Sequence, residues 1–145
     1  MLTFVNEKEA GEMGTNYYLH TDICPCCRRP GDVIHIGKQS GGWAFSVRGY
    51  DYLDDFNPKT QDFFKMVLNI SNILTWSTWK RIIKLMPKSW KIKNEYGKIV
   101  GRTTFIKNVE DSYKYKKNKR HADKYPSERD YIDNDGYSIT ETEFS

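Results

Sequence analysis

The residues best suited to chemistry are concentrated in one short stretch of this 145-residue chain, since residues 14–38 hold all three cysteines and two of the three histidines. Cys24 and Cys27 form a C-x-x-C pair, with His20 four residues before it and His35 eight residues after it. A tight turn brings two thiolates at this spacing to one point, and a structural zinc ion takes about four nitrogen or sulfur ligands. The spacing therefore predicts a Zn²⁺ site formed by Cys24, Cys27, His35 and His20.

The fourth ligand has competitors, because Cys26 and His121 carry the same donor atoms. Cys26 is adjacent to Cys27, and neighbouring side chains on an extended or turn backbone diverge, so both rarely reach one ion. Two alternatives to zinc are buried free thiols and a redox dithiol. The redox alternative expects the C-x-x-C to open a helix after a strand, which the following Pro30-Gly31 disfavours.

Several further motifs accompany the C-x-x-C pair along the chain. They are Met13-Gly-Thr-Asn-Tyr-Tyr-Leu19, the C-x-x-C pair, His35-Ile-Gly-Lys38 and Gly42-Trp43-x-Phe45. Weaker matches follow at Thr75-Trp-Ser-Thr-Trp79, Asn94-Glu-Tyr-Gly97, Asp135-Gly-Tyr137 and Glu143-Phe-Ser145. Together they resemble a widespread family of small, uncharacterised bacteriophage proteins, from Met13 onward.

The resemblance implies a phage origin and a metal-binding knuckle, and it implies no activity. Family members usually read C-x-x-C-G-R, whereas this chain has Arg28 in the position of the glycine. Glycine at that point would relieve a backbone conformation with positive φ, so the departure at Arg28 leaves the exact turn of the knuckle open.

Length and composition favour one domain, over residues 13–145, with a modest core. Hydrophobic residues make up 38% of the chain and aromatic residues 14%, and the net charge is +4. No apolar run approaches the roughly 20 residues of a membrane span, and no secretory signal is present. We expect a protein of the cytoplasm of the infected bacterial host, with no membrane partner.

Residues 1–12 have no periodic pattern and precede the family-like sequence, so they are predicted to be an arm outside the core. Lys8-Glu9 can be encoded as a ribosome-binding sequence at a suitable distance before Met13. Two interpretations of residues 1–12 are open. The true start is Met13 and these residues are a translated leader, or they are an ordinary N-terminal arm.

The pattern of residues predicts an α+β fold. Residues 16–19 and 33–38 suit strands that flank the knuckle, and residues 43–47 alternate large and small side chains, as a strand with one buried face does. The predicted architecture is a small antiparallel sheet braced at one end by the zinc knuckle and packed with two or three short helices.

The helices are indicated by caps and apolar stripes. Asn57 and Pro58 suit the N-cap and first position of one helix, whose apolar face is Phe63, Phe64, Val67 and Leu68. Ser77 is the predicted cap of a second, which ends before Pro87 and carries the stripe Trp79, Ile82, Ile83 and Met86. A third starts near Thr103, with Phe105, Ile106, Val109 and Tyr113 on its core side.

An internal echo joins two distant segments. Gly97, Val100, Thr103 and Phe105 recur gap for gap as Gly136, Ile139, Thr142 and Phe144. Each copy follows a turn-forming pair, Asn94-Glu95 or Asn134-Asp135. Each copy is expected to be a tight turn, a short extended segment and a helical turn with a docking Phe, and chance similarity is the alternative.

For function, the chain has no P-loop, no G-x-S-x-G and no H-E-x-x-H, so an enzyme is not expected. The preferred hypothesis is a non-enzymatic inhibitor or host-takeover factor that binds a host or host-defence protein, with the acidic C-terminal segment as a mimic of nucleic-acid charge. The alternative is a nucleic-acid-binding protein, in which cations neutralise phosphates and rings stack on bases. Its contact residues are Tyr113, Lys114, Tyr115, Lys116, Lys117, Lys119 and Arg120.

Overall fold

The computed structural model describes residues 14–116, 120–125, 127 and 129–142. These residues form seven strands, four α-helices and one π-helical turn. In chain order the elements are β1 (Thr15–His20), β2 (Val33–Gln39), β3 (Ser46–Arg48), α1 (Pro58–Asp62), the π-turn (Phe63–Val67), α2 (Trp76–Leu85), β4 (Lys91–Asn94), β5 (Ile99–Val100), α3 (Arg102–Lys116), α4 (His121–Lys124), β6 (Asp130–Ile132) and β7 (Ser138–Thr140). The predicted α+β class is confirmed.

All seven strands belong to one sheet, in the order β5-β4-β1-β2-β3-β7-β6. The pairs are antiparallel except β3 with β7, where Val47 lies opposite Ile139 in parallel register. The sheet is therefore larger than predicted and mixed rather than antiparallel. The third strand also starts later than predicted, at Ser46, and Trp43 lies before it in a partly exposed loop.

Helices α2 and α3 cover one face of the sheet and form the core with it. Trp79, Ile82 and Ile83 are fully buried, as predicted. The indole Nε1 of Trp79 donates to the carbonyl of Arg48 (2.7 Å), which fixes α2 to β3. The Phe105 ring of α3 lies 5.3 Å from the ring of Tyr17 in β1.

The start of α2 differs from the prediction, because the N-cap is Thr75 and not Ser77. The Thr75 hydroxyl accepts from the amide of Thr78 at 3.1 Å. A start at Trp76 places that side chain three residues before Trp79, on the same buried stripe. Trp76 is only 2% exposed, so burial of a large ring favours this start.

Asn57 is the N-cap of α1 as predicted, since its side chain accepts from the amide of Lys59 (3.1 Å). The chain then widens into the π-turn, where the amide of Leu68 bonds to the carbonyl of Phe63. Phe64 and Leu68 are buried, but Val67 is 64% exposed, so its predicted core position is wrong. The extra residue in a π-turn rotates the side chains relative to an α-helical stripe.

Helix α3 confirms the third predicted stripe, with Phe105, Ile106 and Val109 buried. Tyr113 ends this stripe, and its ring lies 4.3 Å from that of Tyr137. Its hydroxyl donates to the carbonyl of Phe45 and accepts from the amide of Ser138 at 2.8 Å. Tyr113 therefore links α3 to the start of β3 and to β7, the two strands that pair in parallel.

The internal echo corresponds to two turns of the same construction. Asn94 Oδ1 accepts from the amides of Tyr96 and Lys98 (2.9 and 3.0 Å). Asp133 Oδ1 accepts from the amides of Asp135 and Tyr137 (2.9 Å each). Both turns end on a glycine with positive φ, +83° at Gly97 and +92° at Gly136. Phe105 docks in the core, whereas Phe144 lies outside the described residues.

Candidate functional site

The knuckle loop, residues 22–31, connects β1 to β2 and is a nested set of backbone hydrogen bonds. At its base the amide of Thr21 donates to Asp32 (3.0 Å) and the amide of Gly31 donates to Thr21 (2.6 Å). Inside it, the amide of Cys24 donates to Arg29 (2.9 Å), and the amide of Arg28 donates back to Cys24 (2.8 Å). These bonds keep the turn closed around the cysteines.

The knuckle loop is also fixed to its surroundings through its N-terminal half. Trp90, which is 2% exposed, donates its indole N–H to Asp22 Oδ1 at 3.0 Å. The amide of Ile23 donates to the carbonyl of Ser89 (3.1 Å). The residues just before β4 therefore hold one side of the loop.

A polar network holds the other side of the loop base. Asp32 Oδ2 accepts from the hydroxyl of Thr60 in α1 (2.6 Å) and from the amide of Asn57 (2.9 Å). The amide of Asp32 donates to the hydroxyl of Thr21 (2.8 Å). Thr21 and Thr60 are fully buried, so the bonds of their hydroxyls with Asp32 are partly shielded from competing water and help to hold the base of the loop.

The three cysteines are free thiols, with Cys24 partly exposed and Cys26 and Cys27 exposed. Hydrogen bonds from the Cys27 and Cys26 amides, in that order of effect, lower the pKa of the Cys24 thiol. The side chains of Cys27 and, with a smaller effect, Cys26 lower the pKa of the Cys24 thiol further. Arg28 has φ of +64°, so it occupies the kind of backbone conformation that the glycine of the family would relieve. A turn that aims amides at a sulfur favours the thiolate, which is the form that binds metals.

The two predicted histidine ligands are placed differently. His35, on β2, lies within hydrogen-bonding distance of Asn16 Oδ1 (2.9 Å) and the Gly37 carbonyl (3.1 Å) through Nε2. Its ring stacks on Tyr18 at 4.9 Å. Asn16 and Gly37 lie farther along the strands, away from the knuckle loop, so this nitrogen is not directed at Cys24 or Cys27.

His20 lies at the end of β1, on the face of the sheet that carries Lys93. Burial and the Lys93 charge lower the pKa of His20. His121 is in α4, where its ring lies 5.0 Å from that of Tyr125. Among the described residues, no three His, Cys, Asp or Glu side chains form a group able to hold a metal ion. Neither predicted histidine therefore joins Cys24 and Cys27 in such a group, and the zinc site stays a prediction.

A groove of about 260 Å³ lies beside the knuckle loop. It is lined by three apolar side chains, three cations, a serine and one thiol: Ile23, Pro25, Ile99, Arg28, Lys91, Lys93, Ser89 and Cys24. Lys91 and Lys93 alternate with the buried Ile92 along β4, and Ile99 pairs with Lys93 from β5. The sequence analysis did not identify this groove, and the Lys91-Ile92-Lys93 alternation is the one local pattern that points to it. The pairing of β4 with β1 is what places these lysines beside the knuckle loop.

A larger groove, of about 430 Å³, lies between α2 and α3, and its charges are engaged with one another. Lys80 pairs with Glu110 at 2.8 Å and Lys107 pairs with Asp111 at 2.6 Å. Arg102 donates to the carbonyls of Ile83 and Pro87 at the end of α2 (3.2 and 3.1 Å). These contacts support a structural role for this groove.

The predicted nucleic-acid segment is only partly described. Tyr113 is partly buried and packs against the core and the Tyr137 ring, so its ring is not placed to stack on a base, and Lys114 is exposed. Arg120 pairs with Asp123 (2.6 Å) and donates to the carbonyl of Gly136 (3.2 Å). The side chains of Tyr115 and Lys116, together with Lys117 and Lys119, lie outside the described residues.

A cluster of surface rings lies beside this segment, and the sequence analysis did not identify it. Trp43 lies 6.3 Å from the ring of His121 and 6.5 Å from that of Tyr125. The Lys124 ammonium is 5.7 Å from the centre of the Trp43 ring. Gly41-Gly42-Trp43 and the sequence of α4 are far apart in the chain, so no local pattern indicates the cluster.

The opposite edge of the sheet carries carboxyl groups. Burial, followed by a hydrogen bond with Asp51, raises the pKa of Glu141 to about 7. Asp133 is 9% exposed, and its second oxygen accepts from the amide of Trp76 at the start of α2 (2.9 Å). Asp133 in the acidic C-terminal segment is thus part of the fold.

No family model, curated protein or solved structure matches this chain. Among the residues that the structure describes, no helix is both long and apolar enough to cross a membrane.

Proposed function

We propose that the protein is a non-enzymatic accessory protein of bacteriophage type, which binds an acidic surface of a host or host-defence protein through the groove beside the knuckle loop. The resemblance to phage proteins supports the origin, the host cytoplasm as location and the class of partner. The groove supports the mode of binding. Inhibition of the partner by occupation of its surface is the expected mechanism, and no residue is assigned a catalytic role.

The observation that carries the proposal is the composition of the groove. Its apolar side chains include Ile99, which is 57% exposed on the two-residue edge strand β5. Its cations, Arg28, Lys91 and Lys93, are accompanied by no carboxylate in the lining. An apolar centre with a charged margin is the usual organisation of a protein interface, and the positive margin selects a partner with a negative surface.

The groove is also well ordered before any partner binds. The knuckle loop forms one wall, and the bonds of Asp22 with Trp90 and of Ile23 with Ser89 hold that wall in place. A surface that is already ordered loses less conformational entropy on binding, so more of the contact energy appears as affinity.

A protein partner suits this groove better than a nucleic acid does. Sequence-independent binding of single strands depends on aromatic rings on which bases stack. The groove lining contains no aromatic ring. Isoleucine and proline instead suit apolar side chains of a folded partner.

The test uses reversal of charge in the groove. A photo-crosslinking amino acid at position 99 captures the partner from host lysate, and the crosslinked peptides are mapped by mass spectrometry. We expect the crosslinked peptides to come from an acidic surface of a protein. The capture should persist after nuclease treatment of the lysate. Lys91→Glu with Lys93→Glu should abolish the capture, because both cations border the groove.

The matched control is Arg81→Glu with Lys84→Glu, which makes the same charge change on the exposed face of α2. This variant should retain capture. Equal loss in both double variants, or capture that disappears with nuclease, would contradict docking of a protein at the groove.

Nucleic-acid binding is a second candidate function, and the surface ring cluster of Trp43, His121 and Tyr125 favours it. Tyr125 is 54% exposed, and Lys124, whose ammonium lies near the Trp43 ring, is an exposed cation. Trp76, Trp79 and Trp90 are at most 2% exposed. Trp43 is therefore the tryptophan whose fluorescence reports contact with an oligonucleotide.

Titration with a mixed single-stranded oligonucleotide at low salt tests this candidate. Quenching that falls steeply with added salt, and is lost in Lys116→Glu with Lys117→Glu, would support binding through the rest of the predicted segment, without the packed Tyr113: Lys114, Tyr115, Lys116, Lys117, Lys119 and Arg120. Unchanged fluorescence at micromolar protein would favour the protein partner.

A further inference from the structure

The sheet has a second face, opposite α2 and α3, in the region of β1, β2 and β3. Successive side chains of a strand point to opposite faces of a sheet. The core side chains of these strands include Leu19, Ile34, Ile36 and Val47. Tyr18, His35 and Arg48 alternate with them in the sequence, so they lie on the second face.

These three residues form a connected group with Asn16 and Tyr50, which we call the outer cluster. His35 Nε2 lies 2.9 Å from Asn16 Oδ1, and the His35 ring stacks on that of Tyr18. The Tyr50 hydroxyl donates to the carbonyl of His35 (2.7 Å). The Arg48 guanidinium lies 4.8 Å from the centre of the Tyr50 ring.

The outer cluster is more deeply buried than a solvent-facing surface would be. Asn16 is 8%, His35 5% and Arg48 6% exposed, although arginine is rarely so buried unless its charge is paired. Helices α2 and α3 pack on the other face, and α4 lies against β6 and β7. Tyr18, His35, Arg48 and Tyr50 each have a further interaction partner. Another segment of the chain is therefore expected over the outer cluster.

The end of β7 brings the C-terminal segment to this position. Thr140 lies opposite Arg48 in parallel register, so its side chain is on the second face. The hydroxyls of Thr140 and Thr142 are 3.1 Å apart, which keeps Thr142 on that side. The amide of Gly49 donates to the carbonyl of Thr140 (2.7 Å). The chain therefore runs along the segment that joins Arg48 to Tyr50 when it reaches residue 142.

The N-terminal arm approaches the outer cluster from the other end. Thr15, the first residue of β1, pairs with Gln39. Gln39 is four residues along β2 from His35, a distance of about 13 Å. Residues 143–145 are thus better placed than residues 1–13 to cover Arg48 and Tyr50.

The residue types of the C-terminal segment suit the outer cluster. Phe144 is the counterpart of Phe105 in the internal echo, and Phe105 packs in the core with 1% exposed. A phenylalanine ring packs favourably on the aromatic rings of Tyr18 and Tyr50. A carboxylate such as that of Glu143 provides the paired charge that a buried arginine requires.

We infer that residues 143–145 fold over the second face of the sheet as a strap, in which the Phe144 ring covers His35 and Tyr50 and Glu143 pairs with Arg48. The outer cluster is then an intramolecular docking surface for the end of the chain. This inference does not rest on the proposed docking function, because the groove beside the knuckle loop is lined by other residues.

Nuclear magnetic resonance on the full chain with labelled phenylalanine tests the contact directly. The Phe144 ring signals are assigned from their absence in Phe144→Leu. We expect nuclear Overhauser effects between the Phe144 ring protons and the side chains of His35 or Tyr50. Their absence from every residue of the outer cluster would overturn the inference.

Acylation of histidines by diethyl pyrocarbonate, mapped by mass spectrometry, gives a second measurement. His35 should react slowly in the full chain, with the exposed His121 as the internal reference. Deletion of residues 143–145 should raise the His35 rate towards that of His121, whereas deletion of residues 1–12 is the control and should leave His35 protected. Circular dichroism confirms that both variants are folded. Loss of protection in the control, or protection that survives both deletions, would contradict the strap.

Discussion

The two glycine-ended turns, at Asn94–Gly97 and Asp133–Gly136, have the same local geometry but different surroundings. The first joins β4 to the edge strand β5, where Tyr96 is 65% and Ile99 57% exposed. The second joins β6 to β7, where Ile139 is fully buried. The first residues of the two turns differ: Asp133 also accepts from the amide of Trp76, whereas the Asn94 side chain accepts from amides within its own turn. The tie of the first turn to a distant element is made instead by Glu95, which accepts from the amide of Asn16 in β1 (2.7 Å). The comparison separates the stability of a turn itself from the stability that its tertiary contacts add.

The largest effect is expected for Asp133→Ala. This change removes the acceptor for the amides of Asp135, Tyr137 and Trp76, and Asp133 is nearly buried. We expect the free energy of unfolding to fall by about 3 kcal/mol, because unsatisfied buried amides are costly. Denaturant titration measures the fall.

Asp133→Asn provides the control for this prediction. Asparagine keeps the oxygen that serves the turn, as Asn94 does, and loses only the favourable contact with the Trp76 amide. The fall in the free energy of unfolding should be about half of that caused by Asp133→Ala. If both variants unfold like the wild type, the contact with α2 contributes nothing.

The two glycines are expected to respond equally. An added Cβ at Gly97 meets no atom within 4 Å, and at Gly136 it meets only Arg120 Nη1, at 3.7 Å. Gly97→Ala and Gly136→Ala should each cost about 1–2 kcal/mol from positive φ alone. Thermal unfolding of the pair checks this, and a large difference would show that the surroundings alter the turns themselves.

Asn94→Ala is expected to cost about 1 kcal/mol, which is less than Asp133→Ala. It removes bonds to the amides of Tyr96 and Lys98, and both bonds are exposed, so water replaces the lost acceptor. Hydrogen exchange at these amides should accelerate while exchange in β2 stays slow. Global unfolding as severe as that of Asp133→Ala would remove the distinction between the turns.

The smallest expected effect is the pH dependence of stability that Glu141 causes, at the edge of the sheet that carries carboxyl groups. The pKa of Glu141 is raised from 4.5 to about 7 in the folded protein. The folded state therefore holds a proton that the unfolded state releases, and stability falls as pH rises from about 4.5 through about 7. Solvent screening keeps the change small. Glu141→Gln should flatten this slope in denaturant titrations, and an unchanged slope would assign it to other groups.

Local patterns predicted the parts of the fold that depend on neighbouring residues. The stripes of α2 and α3 follow helical periodicity, and the N-cap at Asn57 is a local signal. The exposure of Val67 was not predictable from a helical stripe, because a π-turn changes the period. The pairing of β3 with β7 joins residues far apart in the chain, and no short pattern encodes such a partner.

The candidate site divides in the same way. The closed turn of residues 24–29 depends on neighbours in the chain, so the C-x-x-C spacing indicates it. The departure from glycine at Arg28 left the positive φ of that residue unpredicted. The direction of His35 depends on Asn16 across the β1–β2 pair, and spacing along the chain does not reveal it. The groove likewise requires β4 to lie beside β1, which brings Lys91 and Lys93 to the knuckle loop.

The parallel pairing of Val47 with Ile139 has a consequence for synthesis on the ribosome. Strand β3 is made early, yet it acquires its second neighbour only after β7 has left the exit tunnel. Until then β3 presents an unpaired edge to other nascent chains, which is a known route to aggregation. Completion of the sheet must follow emergence of the last strand, so slow, non-local closure is expected to limit the folding rate.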